Sequence, residues 1–175
     1  MSNRNKVAVV IFGLFAAILS ACATTPETPF SEHAFAPFVG DGPASLEGEA
    51  FVKTENGENR NCGGETILLA PYLPYDIGVI NGFYFVNIDT ALKNAGPAAR
   101  YWRESSCDSQ GRFEFTNVPV GTWIVITTVR WGNARHQEST MLAKMITLRP
   151  TKNKISLTMK DRGHDSTRPW GFDLK

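Results

Sequence analysis

The stretch from Thr122 to Trp131 constrains the fold more than any other part of this 175-residue chain. Its β-branched and aromatic residues are spaced by two, which is the period of a β-strand. One predicted face carries Trp123, Val125, Val129 and Trp131, and the opposite face carries Ile124 and Ile126. Because apolar residues occupy both faces, we predict a central strand that is covered on both sides.

Shorter stretches with strand character lie on either side of this central strand. They are residues 46–54, 66–70, 100–107, 112–116, 141–148 and 154–159. The best helical signal is residues 89–96, where Asp89 can cap a helix and Gly96 followed by Pro97 can end it. At this length, about seven short strands joined by turns predict an all-β chain with a single sandwich domain.

One segment resembles a known family. Gly111-Arg-Phe-Glu-Phe-Thr-Asn-Val-Pro-Val-Gly-Thr-Trp123 is similar to the Gly-x-Phe-x-Phe-x-x-Val-Pro-x-Gly-x-aromatic segment of carboxypeptidase regulatory-like domains. Residues 48–54 followed by 66–71 resemble the opening hairpin of that family. The resemblance covers residues 46–160, with an insertion at 72–99, and implies a transthyretin-like (prealbumin-like) β-sandwich. Such domains are mostly scaffolds, so the resemblance implies a fold rather than an activity.

The N-terminus has the pattern of an export signal. Arg4 and Lys6 precede the uncharged residues 7–19, a run shorter than the roughly 20 residues that span a bilayer. Leu19-Ser-Ala-Cys22 resembles the lipobox of bacterial lipoproteins. That resemblance implies that residues 1–21 are removed and that Cys22 is lipidated, which anchors the protein to a membrane. A permanent membrane helix and plain secretion are the alternatives.

The residue after Cys22 bears on which membrane would hold the anchor. In diderm bacteria the lipoprotein pattern uses Asp at that position to retain proteins at the inner membrane, and this chain has Ala23. The resemblance therefore implies the cell envelope and, in a diderm organism, the outer membrane with the protein facing the periplasm.

Residues 22–45 have the composition of an extended linker. They contain four prolines, which favour a semi-rigid spacer: Pro26, Pro29, Pro37 and Pro43. Phe30, Phe35 and Phe38 are unusual in a tether, and we expect them to dock on the domain rather than to contact a partner. Residues 161–175 form a predicted C-terminal tail.

Charge and motif content argue against several function classes. Lys and Arg number 18 against 17 Asp and Glu, so no net basic field exists to attract nucleic acid. His33, His136 and His164 lie in separate segments without ligand spacing, and we expect neither a metal site nor a cofactor. No nucleophile elbow or phosphate-binding loop occurs, and we assign no catalytic residues and expect no enzyme.

The two remaining cysteines predict a disulfide once Cys22 is assigned to the lipid. Cys62 precedes one predicted strand and Cys107 ends another. If those strands are antiparallel, the Cα atoms lie within the roughly 4.4–6.8 Å that a disulfide needs. An exported compartment permits the bond. Two buried free thiols are the alternative.

The insertion at residues 72–99 is the best candidate for a specific function. It is long for a connection between strands and rich in apolar residues, so it must be buried against the sandwich or against a partner. The candidate partner-binding residues are Tyr72, Tyr75, Phe83 and Tyr84. We expect a non-catalytic binding or structural module for an envelope protein, peptidoglycan or glycan. The alternatives are a hydrolase that uses this loop, or an insertion that merely closes one sheet as a hairpin or short helix.

Overall fold

Alternating burial along the strands divides them into two sheets that share one apolar core. The computed structural model describes residues 28–82, 88–133 and 135–162, in which eight strands form two four-stranded sheets. The predicted all-β sandwich is confirmed. The N-terminal residues up to Pro26 that were named in the sequence, including Cys22, lie outside the described residues, as do Phe83, Tyr84 and His164.

The strands and helices have the following bounds. The strands are β1 (Ala44–Lys53), β2 (Asn59–Asn61), β3 (Thr66–Pro71), β4 (Arg103–Ser106), β5 (Arg112–Val118), β6 (Gly121–Asn133), β7 (His136–Leu148) and β8 (Lys152–Leu157). The α-helices are α1 (Glu32–Phe35), α2 (Pro74–Gly82) and α3 (Ile88–Asn94), and short 3-10 helices span Ala36–Phe38, Gly96–Tyr101 and Met159–Asp161. Within the described residues, no helix is long and apolar enough to cross a membrane.

Sheet 1 is built around β1. Antiparallel β5 and parallel β8 pair with the same residues of β1, so that Glu47 lies opposite both Glu114 and Lys154. Antiparallel β2 pairs with the last three residues of β1. This strand consists of three exposed polar residues, so no apolar periodicity marks it in the sequence.

Sheet 2 has the strand order β4-β3-β6-β7 and is antiparallel throughout. The strongest predicted strand, β6, is central as expected. Trp123 and Val125 pack in the core between the sheets, whereas Ile124 and Ile126 pack in a second apolar cluster on the opposite face.

The insertion at residues 72–99 forms a helical layer over the outer face of sheet 2. Ile77 and Ile80 of α2 and Ala91 of α3 pack in one apolar cluster with Leu68 and Ile124 of the sheet. The predicted helix at 89–96 is present as α3, but α2 carries no clear signal in the sequence. Its four buried residues include Asp76, and its other residues are Pro, Tyr, Gly and Asn, so the sequence shows no apolar stripe opposite a charged one.

The segment before β1, which we call the N-terminal strap (residues 28–43), docks on the domain. The Phe35 ring lies 4.7 Å from the Tyr101 ring, measured between centroids, and Phe30 packs edge-on against Tyr75 at 5.5 Å. Farther along, Phe38 packs edge-on against Trp123 at 5.0 Å. The strap therefore runs from the helical layer past the end of the sandwich to sheet 1, and the docking predicted for its phenylalanines is confirmed.

The predicted disulfide joins Cys62 and Cys107, whose Cα atoms are 5.7 Å apart. Both residues are buried, and the Cys107 amide donates a hydrogen bond to the Glu65 carbonyl oxygen at 2.9 Å. The bond connects the turn before β3 to the turn before β5. It therefore links segments that feed the two different sheets.

The residues that carry the family resemblance have structural roles here. Phe113 and Phe115 lie side by side in the core, with ring centroids 6.2 Å apart. The Trp123 indole donates a hydrogen bond to the Pro119 carbonyl oxygen at 3.1 Å, which stabilises the turn between β5 and β6. These contacts show that the residues of the segment stabilise the core and the turn.

Candidate functional site

The outer face of sheet 1 is the more open sheet face in the described part of the chain, because helices cover much of the outer face of sheet 2. Along β1, Leu46, Ala50 and Val52 point into the core, and the alternate residues Glu47 and Glu49 point outward. The outward residues of the flanking strands include Arg112, Glu114, Lys152, Lys154 and Ser156. We call this set of polar side chains the sheet-1 face.

A shallow open groove of about 460 Å³ crosses the sheet-1 face. Its polar lining comes from Glu47 and Glu49 on β1, Arg112 on β5, and Lys154 and Ser156 on β8. Carboxylates, cations and a hydroxyl group therefore converge on one depression, and together they can accept and donate hydrogen bonds to a ligand.

Phe51 lies on the same face, two residues beyond Glu49 on β1. Phe51 is 38% exposed. The other large hydrophobic residues that are exposed in the described part of the chain are aliphatic. Phe51 lies opposite Asn61 of β2. An exposed ring next to a polar groove combines an apolar platform with hydrogen-bonding groups.

The charged groups of the groove differ in how far they are already paired. Glu47 forms an ion pair with Lys152. The hydrogen bond between them lowers the pKa of Glu47 and raises the pKa of Lys152. Arg112 contacts Asp108 at 3.0 Å. Within the described residues, the side chains of Glu49 and Lys154 form no hydrogen bond or ion pair. These two groups are therefore the ones available to a ligand.

Two of the four predicted binding residues, Tyr72 and Tyr75, are described, and both are half-buried near the helical layer rather than on an open surface. Tyr75 is half-buried, and its hydroxyl donates a hydrogen bond to the Ala95 carbonyl oxygen at 3.2 Å. Tyr72 is half-buried against the apolar cluster between helices and sheet. Phe83 and Tyr84 lie outside the described residues, so binding by this segment stays a prediction.

The insertion does contain one unusual acid. Asp76 on α2 is fully buried, and the Trp102 indole donates a hydrogen bond to its Oδ1 at 2.7 Å. Its Oδ2 has no hydrogen-bond partner, and burial raises the Asp76 pKa to about 8. Among the residues whose burial the structure describes, Asp76 is the one buried carboxylate.

The histidines do not converge. His33 and His136 are exposed on α1 and at the start of β7, and His164 lies outside the described residues. In residues 28–82, 88–133 and 135–162, no three His, Cys, Asp or Glu side chains are grouped so that they could hold a metal ion.

Comparison with known proteins identifies a similar fold but no ligand. No protein-family model and no curated protein matches the sequence. The structure is similar to the crystal structure of a proposed carbohydrate-binding protein from Pseudomonas aeruginosa, with a TM-score of 0.60 and 20% identity. The match covers 75% of this chain and 98% of that chain. At this level of identity, the similarity extends to the β-sandwich fold alone.

Proposed function

We propose that this protein is an envelope lipoprotein that binds a glycan on its sheet-1 face without catalysing a reaction. The observation that carries the proposal is the exposed ring of Phe51 beside a groove in which Glu49 and Lys154 are unpaired. Sugars have both apolar C–H faces and many hydroxyl groups. A ring and a set of charged hydrogen-bonding groups on one flat surface suit both properties.

Two further observations support this class of function. The similar β-sandwich from Pseudomonas aeruginosa is itself a proposed carbohydrate-binding protein. The six charged residues of the sheet-1 face comprise three acids and three bases, so the surface favours a hydroxyl-rich ligand over a polyanion. An envelope protein remains the other partner predicted from the sequence.

The anchoring part of the proposal comes from the sequence. Removal of residues 1–21 and lipidation of Cys22 would hold the protein in the cell envelope, at the outer membrane of a diderm organism. Residues 46–160, with the insertion at 72–99, would be the carboxypeptidase regulatory-like domain. The resemblance of residues 111–123 to the conserved segment of that family supports this assignment.

Binding to peptidoglycan fragments and to a panel of neutral oligosaccharides, measured by calorimetry, tests the proposal. We expect Phe51→Ala to raise the dissociation constant at least about fivefold, since loss of an aromatic contact costs more than about 1 kcal/mol. The matched control is Met145→Ala, which truncates a side chain on sheet 2 that is 48% exposed. We expect this control to bind like the wild type.

Both variants are first compared with the wild type by circular dichroism, so that a folding defect is not mistaken for a binding defect. Equal affinity of Phe51→Ala and wild type for a bound glycan would place the site elsewhere. Absence of binding to every member of the panel would contradict the glycan class.

A further inference from the structure

We infer that the helical layer faces the membrane surface and that the sheet-1 face points away from it. This orientation rests on the lipid anchor at Cys22 that forms part of the proposed function. It assigns the glycan groove to the side of the protein that is open to the compartment.

The first step is where the N-terminal strap is fixed. Phe30 contacts the rings of both Tyr75 and Tyr101, which belong to the helical layer. Glu32 forms an ion pair with Arg100 of the same layer. Phe35 is 1% exposed and packs among these residues. The strap is therefore attached to the helices by a buried aromatic cluster, and its first described residue, Thr28, lies next to that cluster.

The second step is the length of chain between the strap and the anchor. Thr28 follows Cys22 by six residues, and six residues cannot span more than about 20 Å even when fully extended. A lipid on Cys22 is embedded in the bilayer. The edge of the helical layer that holds Phe30 must therefore stay within about 20 Å of the membrane surface.

The third step is the order of the layers. The helices lie on the outer face of sheet 2, and sheet 1 lies on the other side of the core. Packed sheets are about 10 Å apart, and a helix adds about 10 Å. The sheet-1 face is therefore about 20 Å farther than the helices are from Phe30, at the start of the strap. With the strap held close to the lipid, the helical side is the one directed toward the bilayer.

Energy transfer from the protein to labelled lipid headgroups measures this orientation. A donor dye is attached in one variant at Lys93→Cys, on α3, and in another at Glu114→Cys, on the sheet-1 face; both positions are exposed. In the lipidated protein, Cys22 is acylated and Cys62 is bonded to Cys107, so the new thiol alone reacts. The vesicles contain phosphatidylethanolamine and phosphatidylglycerol with an acceptor dye on the headgroup.

We expect at least about twofold more efficient transfer from position 93 than from position 114. Insertion of 20 Gly and Ser residues between Pro26 and Glu27 should lower both efficiencies and remove the difference. Equal transfer from the two positions of the wild-type linker, or more transfer from position 114, would overturn the orientation.

A separate variant distinguishes failure of the anchor from failure of the orientation. Cys22→Ser should give unprocessed or vesicle-free protein, with no specific transfer from either dye position. If Cys22→Ser binds vesicles as the wild type does, the anchor in the proposed function is wrong and the orientation falls with it. If binding depends on Cys22 but the two positions give equal transfer, the orientation alone is wrong.

Discussion

At the scale of single residues, Asp76 has the environment that differs most from that of the same side chain in water. It lies on the buried side of α2 with one hydrogen bond, from Trp102, and an unpartnered Oδ2. Burial favours the neutral acid and raises its pKa to about 8, against about 3.9 in an unfolded chain. The protonated form is therefore the one that fits the folded protein.

This shift predicts that the protein loses stability as the pH rises from about 4 to about 8. In that range the folded state holds a proton on Asp76 that the unfolded state has released, so stability falls by up to about 1.4 kcal/mol per pH unit. Asp76→Asn removes the titration while keeping an oxygen for the Trp102 indole. Urea unfolding at pH 5 and pH 8 should show a much smaller pH dependence in the variant. An unchanged pH dependence would show that Asp76 is not the group responsible.

Two other features show what the sequence reveals at this scale. The pairing of Cys62 with Cys107 could be predicted because lipidation of Cys22 leaves only two candidates. The exposure of Phe51 could have been predicted, because the period-two alternation that places Glu47 and Glu49 on the outer face of β1 places Phe51 on that face too. The actual register buries the smaller pair and leaves the ring on the surface.

At the scale of secondary-structure elements, β1 shows how closely the strands of sheet 1 pack. Gly48 lies between β5 and β8, with Phe113 on one side and Ile155 on the other. A Cβ atom at this position would lie 2.8 Å from Ile155 Cγ2 and closer still to the Phe113 ring. Two large side chains therefore fill the space above the glycine.

Gly48→Ala should consequently destabilise the protein by about 1–3 kcal/mol, because the Phe113 ring must move within a packed core. The matched control is Gly82→Ala, at the end of α2, where a Cβ atom would meet nothing within 4 Å. Chemical denaturation followed by tryptophan fluorescence compares the two variants. Equal stability of Gly48→Ala and wild type would mean that the ring adjusts without cost.

The elements differ in how well the sequence predicts them. Strands with alternating or two-sided apolar residues, such as β6, are predicted because burial imposes that pattern directly. The short β2 is missed because its three residues are exposed and polar, and pairing with β1 alone makes them a strand. The helix α2 is missed because its buried side includes Asp76 and its other side carries Pro, Gly and Tyr rather than charged residues, so no amphipathic pattern marks it.

At the scale of the whole molecule, the disulfide joins the sequences that lead into the two sheets. Its residues are 45 positions apart, and closing a loop of that length in the unfolded chain is worth about 4 kcal/mol in the entropic description. Replacing both Cys62 and Cys107 with Ala should lower the free energy of unfolding by about 4 kcal/mol. Urea denaturation of the double variant, and of wild type in reductant, measures the difference. A loss below about 1 kcal/mol in both would contradict the prediction.

The sandwich itself could be predicted from strand periodicity, whereas the site could not. The sequence directs attention to the aromatic residues of the 72–99 insertion, because a long apolar insertion must be buried against something. The described part of it is buried against sheet 2, which removes one sheet face from contact with solvent. The opposite sheet face is then left for a ligand, and that follows only from the arrangement of layers in three dimensions.

The position of the disulfide has a consequence for proteolysis. The loop that it closes, residues 63–106, contains β3, β4 and the helices between them. A protease that cuts once anywhere inside this loop produces two fragments that remain covalently joined. The nicked protein would keep its mass on a non-reducing gel and separate into two bands only after reduction. In such a nicked molecule, the half that holds the N-terminal strap and the half that holds most of the β-sandwich would stay together.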